Sequence, residues 1–348
     1  MQENPKQEML KGKTVAVIGG SGFIGSYLCT RVVALECVVI SLNRQISKKR
    51  ISKVKYCSCD IRNEKEISDC LINVDLVFLV AAKTNFWGSY SDFFETNYEG
   101  AVNTVKACLI AGVKHLVYTS TPSVAYSAQK DINGEDESIG YAEQYDSPYA
   151  KTKSLAEKYV LKANSTQLQT IAIRPHLVWG IGDPHIVPRI LESAIKRRLK
   201  RIGSLDYKVD MTHVDNAVEA QIKAASALLQ PKNTVSGKAY FISDDAPVFI
   251  WSWINNLLEL LGEKKIVKHI SKRVAMVLAL FMEVKNKTIS KNTEPKLSRF
   301  LVNQLTHHHY FNIEAAKKEL GYTVVKKPEE ALAEYVEHLK ISRGQHLS

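Results

Sequence analysis

Tyr149 and Lys153 stand four residues apart in Tyr149-Ala150-Lys151-Thr152-Lys153, the spacing of neighbours on one helix face. A phenol titrating near ~10 is a poor proton acceptor at neutral pH. An ammonium about 4 Å away contributes on the order of 4 kcal/mol at an effective dielectric near ~20, which brings the phenol within reach of proton exchange with a substrate oxygen. Upstream, Thr119-Ser120-Thr121-Pro122-Ser123 supplies hydroxyls, of which Thr121 and Ser123 are the candidates to hold that oxygen. Such a set suits alcohol–ketone chemistry. Y-x-x-x-K alone also describes a surface aromatic beside a solvated lysine, so the weight falls on what accompanies it.

What accompanies it is a hydride carrier's signature. Gly19, Gly22 and Gly25 form G-x-x-G-x-x-G directly after the apolar run Thr14–Ile18, and Phe23 and Ile24 open a helical pattern. A turn without side chains lets backbone approach a pyrophosphate, and the helix N-terminus directs N–H groups at it. NAD sites usually carry an acidic residue at the end of the second strand. Here that strand ends Ile40-Ser41-Leu42-Asn43-Arg44, and Arg44 with Lys48-Lys49-Arg50 suits a 2′-phosphate, which favours NADP over NAD. Asp60, followed by Ile61, ends the third strand where an adenine amine would lie.

The elements that must position these residues alternate along the first half. Thr14–Ile18, Cys37–Ser41, Val54–Ser58, Leu76–Val80, His115–Thr119 and Gln169–Arg174 read as buried strands. Phe23–Ala34, Glu64–Leu71, Asp92–Ala111 and Tyr149–Ala163 read as helices between them. This alternation predicts an α/β fold of Rossmann type, a doubly wound parallel sheet with helices on both faces. Past Gly180 the rhythm changes. A basic helix over Ile186–Arg201, a loop to Asp210 and a helix over Asp215–Leu229 lead into a mainly helical region after Pro247. The organisation expected is a dinucleotide domain over 1–180, its sheet completed by parts of 205–245, and a smaller substrate lobe over 181–348, partly interleaved with it.

Composition bounds the rest. The 348 residues include 45% hydrophobic ones, enough for a substantial core, and 47 Lys+Arg against 36 Asp+Glu give a net charge of +11. No motif of a nucleic-acid fold accompanies the basic residues, so a nucleic-acid partner is not expected. The polar opening MQENPKQEMLKG holds no secretory core, and no apolar run is long enough to span a bilayer. The six cysteines (Cys29, Cys37, Cys57, Cys59, Cys70 and Cys108) lack C-x-x-C spacing and are expected to be reduced thiols in a cytoplasmic protein. His307-His308-His309 would alternate faces on a strand, so no metal site is expected.

Val274–Met282 is apolar all round and lies in a basic setting. It suits a helix in the lobe's core, a roof over a hydrophobic substrate, or a helix resting peripherally on an anionic membrane.

With these residues in view, the chain resembles the extended short-chain dehydrogenase/reductases along nearly its whole length. The matching segments are Gly19–Gly25, Ala81-Ala82, Asn97, Thr119–Ser123, Tyr149/Lys153 and Arg174-Pro175-His176-Leu177-Val178-Trp179-Gly180. It is most similar to the 3β-hydroxysteroid dehydrogenase/isomerase branch, which includes sterol-4α-carboxylate dehydrogenases and 2-alkyl-3-oxoalkanoate reductases. The telling segments are Gly180-Ile181-Gly182-Asp183-Pro184-His185, Ile186-Val187-Pro188-Arg189 and His308-His309-Tyr310-Phe311-Asn312.

The resemblance implies Tyr149 as general acid/base, Lys153 on the nicotinamide ribose, and Thr121 in the catalytic Ser/Thr position, with Ser120 or Ser123 there if the register slips. It implies Ala81, Ala82 and the backbone of Pro175, His176 and Leu177 as further cofactor contacts. Lys83, Ser123 and His176 are candidate substrate contacts, and a homodimer through the helices around Asp92–Ala111 and Tyr149–Ala163 is the family's habit. Sugar-nucleotide epimerases usually carry R-Y-F-N where this chain has Arg174-Pro175-His176-Leu177, which counts against that alternative. A non-catalytic NADP sensor is the rival from another class, and such proteins commonly lack the Tyr/Lys pair retained here.

Overall fold

In a computed structural model that describes residues 8–46, 50–84, 87–127, 130–184, 186–288 and 294–344, the apolar runs of the first half become strands of one sheet. Lys48, Lys49 and His185 lie outside the described residues. The strands are β1 (Thr14–Ile18), β2 (Val38–Asn43), β3 (Val54–Ser58), β4 (Leu76–Leu79), β5 (His115–Thr119) and, past the short outlying β6 (Ile132–Glu135), β7 (Gln169–Pro175). The order is Ala239–Ile242, β7, β5, β4, β1, β2, β3, with every pair parallel.

Residues alternate sides along β1. Val15 and Val17 join one core, with Leu28, Val32 and Ile222, while Ala16 and Ile18 join the other, with Ile67, Val105 and Ala156. Both faces are therefore covered, which is why these strands read as continuous apolar runs. The chain direction of travel across the sheet reverses between β1 and β4, the place where open α/β sheets bind ligands at their strand carboxyl ends.

The helices that matter to the site are α1 (Phe23–Ala34), α2 (Glu64–Cys70), α3 (Tyr90–Phe93), α4 (Gly100–Ala111) and α5 (Pro148–Lys162). The expected single helix over Asp92–Ala111 is instead broken. Phe94–Glu99 forms a wider π-helical turn between α3 and α4. There the buried Asn97 bonds both backbone groups of Lys83, accepting from its N–H at 2.8 Å and donating to its carbonyl at 3.2 Å. The wide turn brings that side chain inward, a common use of π-turns near functional sites. The expected helix over Ile186–Arg201 also ends early. It spans Val187–Ile195, Arg197 takes a left-handed φ of 53°, and Arg201–Ile202 pairs with His269–Ile270 as a short strand.

A third core holds Trp179, Trp251, Trp253, Leu257 and Tyr335 and organises the mainly helical C-terminal region. Two expectations change here. The Lys272–Thr288 helix buries Ala275 and Ala279, while Val274, Val277, Leu278, Leu280, Phe281 and Val284 are exposed, so it is not a core helix. Cys57 and Cys70 form a disulfide between β3 and α2, which corrects the reading of six reduced thiols. The strand end and helix end lie side by side, whereas Cys29, Cys37, Cys59 and Cys108 are buried and free. Among the described residues no helix is long and apolar enough to cross a membrane.

Candidate functional site

The glycine loop leaves β1 at a place where side chains do not fit. A Cβ at Gly25 would sit 2.1 Å from the Gly19 carbonyl oxygen, and one at Gly19, whose φ is +91°, would sit 2.6 Å from the Ala81 backbone nitrogen. Bare backbone therefore lies against bare backbone at the N-terminus of α1. Among the described residues, the buried Ser21 hydroxyl has no hydrogen-bond partner. A cradle of this shape, with an unsatisfied donor, fits a dinucleotide pyrophosphate. Asn43, which the sequence reading passed over, pins the loop. Its Oδ1 accepts from the Ser21 N–H at 2.7 Å and its amide donates to Ser41 Oγ at 2.7 Å.

Asn43 is thus turned into the loop, and exposed Arg44 is next at the strand end. Arg50 lies over the Tyr56 ring, 5.7 Å from its centroid. Asp60 is gripped by Arg62 through bonds of 2.7 and 3.0 Å, and this guanidinium holds its carboxyl below the usual range. Ile61 packs against Gly100, where a Cβ would come within 2.9 Å of the isoleucine side chain.

Tyr149 owes its position to the start of α5. Ser147 caps the helix by accepting from the Ala150 N–H at 3.2 Å, and Pro148 occupies the first turn, where its missing N–H costs nothing. The Tyr149 hydroxyl interacts with Thr121, and Thr121 Oγ1 donates to Ser123 Oγ at 3.3 Å. Lys153, one turn on, is 2% exposed. Its ammonium donates to the Thr119 carbonyl at 2.6 Å and lies 4.1 Å from the Tyr118 ring centroid.

The electrostatics differ from the sequence-based expectation. Burial pushes the Tyr149 hydroxyl up to about 12, against a smaller lowering by Thr121. Burial likewise brings Lys153 down to about 7, opposed by the charge of Glu157. Desolvation disfavours both charged forms and is the larger cause at each residue. At neutral pH Tyr149 is therefore a protonated phenol.

The opposite wall comes from distant parts of the chain. His176 Nε2 and His309 Nδ1 are 2.6 Å apart, and His309 Nε2 lies 2.8 Å from the Gln304 carbonyl. With Nε2–H donating to that carbonyl, Nδ1 accepts from His176. Burial lowers His176, and it lowers His309 to about 4, so both rings are neutral. Tyr126 stacks on His309 at 6.2 Å, and its hydroxyl meets the Gln304 amide at 3.2 Å. His176 also engages its own backbone, donating N–H to the Ile242 carbonyl and accepting from Thr212 Oγ1 at 2.7 Å. Leu177 sits at a φ of 41°, a strained left-handed position for a branched residue.

His307 and His308 go elsewhere, to Lys272 and to the Lys208 N–H respectively. The signal for His309 was present in the three-histidine run, but nothing in the sequence shows which of the three turns inward.

The structure thus gathers Gly19–Gly25, Asn43 and Ala81 at one end of the sheet. It gathers Thr121, Ser123 and Tyr149 at the same edge, beyond the carboxyl end of the neighbouring β5. Lys83 is bonded to Asp92 at 3.0 Å. Beside the start of α5 opens a cleft of about 820 Å³, lined by Ser147, Pro148, Lys272, Met276, Asn303 and His307 among others.

A family model described as the 3-beta hydroxysteroid dehydrogenase/isomerase family matches residues 16–270. Over 331 residues the chain is 37% identical to a 2-alkyl-3-oxoalkanoate reductase of Stenotrophomonas maltophilia, covering 94% of this chain and 98% of that one. It is 30% identical over 337 residues to the decarboxylating sterol-4-alpha-carboxylate 3-dehydrogenase of Mus musculus, with coverages of 95% and 92%. Among solved structures, a dTDP-glucose 4,6-dehydratase of Streptomyces venezuelae with NAD bound has the same fold, with a TM-score of 0.73 at 19% identity over 95% of this chain and 98% of that one. The chain belongs to the 3-beta hydroxysteroid dehydrogenase/isomerase family, within the extended short-chain dehydrogenase/reductases.

Proposed function

We propose that the protein is an NADP(H)-preferring oxidoreductase that interconverts a secondary alcohol and a ketone on a hydrophobic substrate, a sterol or a long-chain β-hydroxy/β-keto acid. One observation carries this reading. The Tyr149, Thr121 and Ser123 hydroxyls are linked at the carboxyl end of β5, next to a glycine cradle shaped for a dinucleotide.

Gly19, Gly22, Phe23, Ile24 and Gly25 would hold the pyrophosphate, Asp60 and Ile61 the adenine, and Arg44 a 2′-phosphate. Ala81, Ala82, Lys153 and Pro175–Leu177 would line the nicotinamide half. The dinucleotide supplies the hydride in reduction and accepts it in oxidation. The chain's own residues manage the oxygen. Thr121 and Ser123 hold it, and Tyr149 gives it a proton as the carbonyl becomes an alcohol. Lys153, poised near neutrality, would supply positive charge beside the phenolate left behind. A phenol protonated at neutral pH favours the reducing direction, and the named activity of the bacterial relative agrees with that direction. His176, with Ser123, would face the substrate.

The test is hydride transfer, followed by nicotinamide absorbance, with NADPH and NADH across 2-alkyl-3-oxoalkanoates, 4α-carboxysterols and UDP-sugars. Turnover of a lipid class with NADPH preferred is the expected result. NAD that co-purifies, together with turnover of UDP-sugars and of no lipid, would replace this reading with an epimerase or dehydratase.

A further inference from the structure

We propose that Tyr126 and Gln304 are positioning residues that orient the hydroxyls serving the reacting oxygen, through a row of hydrogen bonds able to run in either direction. This rests on the reading of Tyr149 as proton donor. The row starts beyond β5. Thr121 caps the short turn Pro122–Val124 by accepting from the Ser123 N–H at 3.3 Å, and Tyr126 follows that turn. Thr121, Ser123 and Tyr126 are all buried. Thr121 Oγ1 meets the Tyr149 hydroxyl on one side and Ser123 Oγ, at 3.3 Å, on the other, and Ser123 in turn meets the Tyr126 hydroxyl. The row ends on Gln304, the last residue of the Arg299–Gln304 helix and 178 residues from Tyr126. Asn303, its neighbour on that helix, lines the cleft beside α5.

Gln304 makes the row reversible. The Tyr126 hydroxyl can donate to Gln304 Oε1 at 3.3 Å, or accept from Gln304 Nε2 at 3.2 Å. A hydroxyl carries a single hydrogen, so the row points one way at a time. With Oε1 accepting, it runs from Tyr149 through Thr121, Ser123 and Tyr126 to Gln304, and the Tyr149 proton is turned away from the substrate. With Nε2 donating, it runs back through Tyr126 and Ser123, and Thr121 turns its hydrogen toward Tyr149 and the substrate oxygen beside it. The Tyr149 proton is then free to reach that oxygen, and the phenolate left behind finds a donor. The reversal turns O–H bonds and breaks none, so no proton leaves the row. Members of such a row polarise one another, and a hydrogen bond to a charged oxygen is stronger than one between neutral groups, so the reversed row favours the phenolate. An amide at the far end serves both directions, and no other neutral side-chain group of that shape does.

The experiment is steady-state kinetics of the full-length protein, with whichever class the parent turns over among 2-alkyl-3-oxoalkanoates, 4α-carboxysterols and UDP-sugars. A pH near ~8 keeps the carboxylate of Gln304→Glu ionised. Tyr126→Phe keeps the ring on His309 and removes only the hydroxyl, so kcat should fall roughly tenfold with KM within about twofold of the parent. In a Ser123→Ala background, where the row is already cut, Tyr126→Phe should change kcat by less than about twofold. Gln304→Glu accepts but cannot donate, so it holds the row in the unproductive direction. Its kcat should lie roughly fivefold below that of Gln304→Met, although the carboxylate grips the Tyr126 hydroxyl the more firmly. A role in packing alone predicts the opposite order. The dinucleotide Kd should be unchanged in every variant and reports a native fold. Full kcat in Tyr126→Phe, the same loss with and without Ser123, or a Gln304→Glu no slower than Gln304→Met would each overturn the proposal and leave the oxidoreductase reading standing. An unaffected kcat in Tyr149→Phe would instead remove that reading, and the row with it.

Discussion

The two walls of the proposed site, one for nucleotide and one for substrate, are built on different principles. The nucleotide wall is local. Gly19–Gly25, Asn43, Asp60 and Ala81 each sit at the end of a neighbouring strand, and a Cβ added at Gly25 or Gly19 would come within 2.1 or 2.6 Å of backbone, which leaves no room for variation at those glycines. The substrate wall is assembled over long distances, by Tyr126 with Gln304, 178 residues apart, and His176 with His309, 133 apart. A wall fixed by backbone geometry can serve one cofactor across many enzymes. A wall made of side chains from remote loops is free to change with the substrate.

Tyr149 stands at the seam between the walls, and its loss should have the largest effect. Tyr149→Phe keeps the ring and its packing but removes the proton donor, so kcat should fall by roughly 10²–10⁴-fold. The Kd for the dinucleotide should be unchanged, because the phenol belongs to the reacting oxygen rather than to the cradle. An unaffected kcat would remove the catalytic reading, and retention of cellular function by this variant, with loss in a Gly22 variant, would favour a sensor.

Gly25→Ala probes the local wall alone. Its Cβ meets backbone, not a flexible side chain, so the loop must shift, at a cost of about 1–3 kcal/mol. Dinucleotide Kd should rise by roughly tenfold to hundredfold, while KM for substrate, measured at saturating cofactor, should hold. Equal changes in both would mean that the walls are coupled more tightly than the comparison allows.

His309→Leu is the reciprocal probe. It removes the acceptor for His176 Nε2–H and leaves a buried donor unsatisfied, costing about 1–3 kcal/mol. Substrate KM should rise roughly tenfold with dinucleotide Kd unchanged. His309→Gln, which can still accept and donate, should recover much of the loss. A shift in the Kd instead would place His309 in the cofactor's wall.

The same division explains what could be read from the sequence. Strand ends at Ile18 and Thr119, the glycine loop and the Tyr149/Lys153 pair follow from periodicity and spacing, because hydrogen-bonding neighbours in a parallel sheet repeat the same local pattern. The substrate wall gave only an undirected hint, the histidine run. Which of His307, His308 and His309 turns inward depends on the pairing of His309–Phe311 with β6, a contact between segments about 177 residues apart. The Cys57–Cys70 bridge and the π-helical turn at Phe94–Glu99 likewise arise from tertiary neighbours, Cys70 on the end of α2 and Asn97 against Lys83. The protonation of Tyr149 is not legible in the sequence for a related reason. Spacing shows which lysine shares the helix face, but burial, the larger cause at Tyr149, is a property of the whole fold.

The smallest effect should separate the walls by pH. Asp60, in the nucleotide wall, is held below its ordinary value by Arg62, so its contribution is present at neutral pH and fades as pH falls into the carboxylate range. Asp210, beside the substrate wall, behaves oppositely. It is 1% exposed, accepts from the Phe311 N–H at 2.8 Å, and burial pushes it up to about 7 from 3.8. The native fold therefore favours its protonated form. The resulting stability is fully present below about 4 and is lost as pH rises through about 7, where a charge must be forced into the interior. Asp210→Asn keeps an acceptor for Phe311 without that charge, so its melting temperature should match the parent near pH ~4 and exceed it near pH ~8. Asp244, also raised by burial, to about 6, remains in the variant and leaves part of the slope. Parallel melting curves across that window would mean that Asp210 is charged and compensated in the folded protein, and the pH contrast between the walls would vanish.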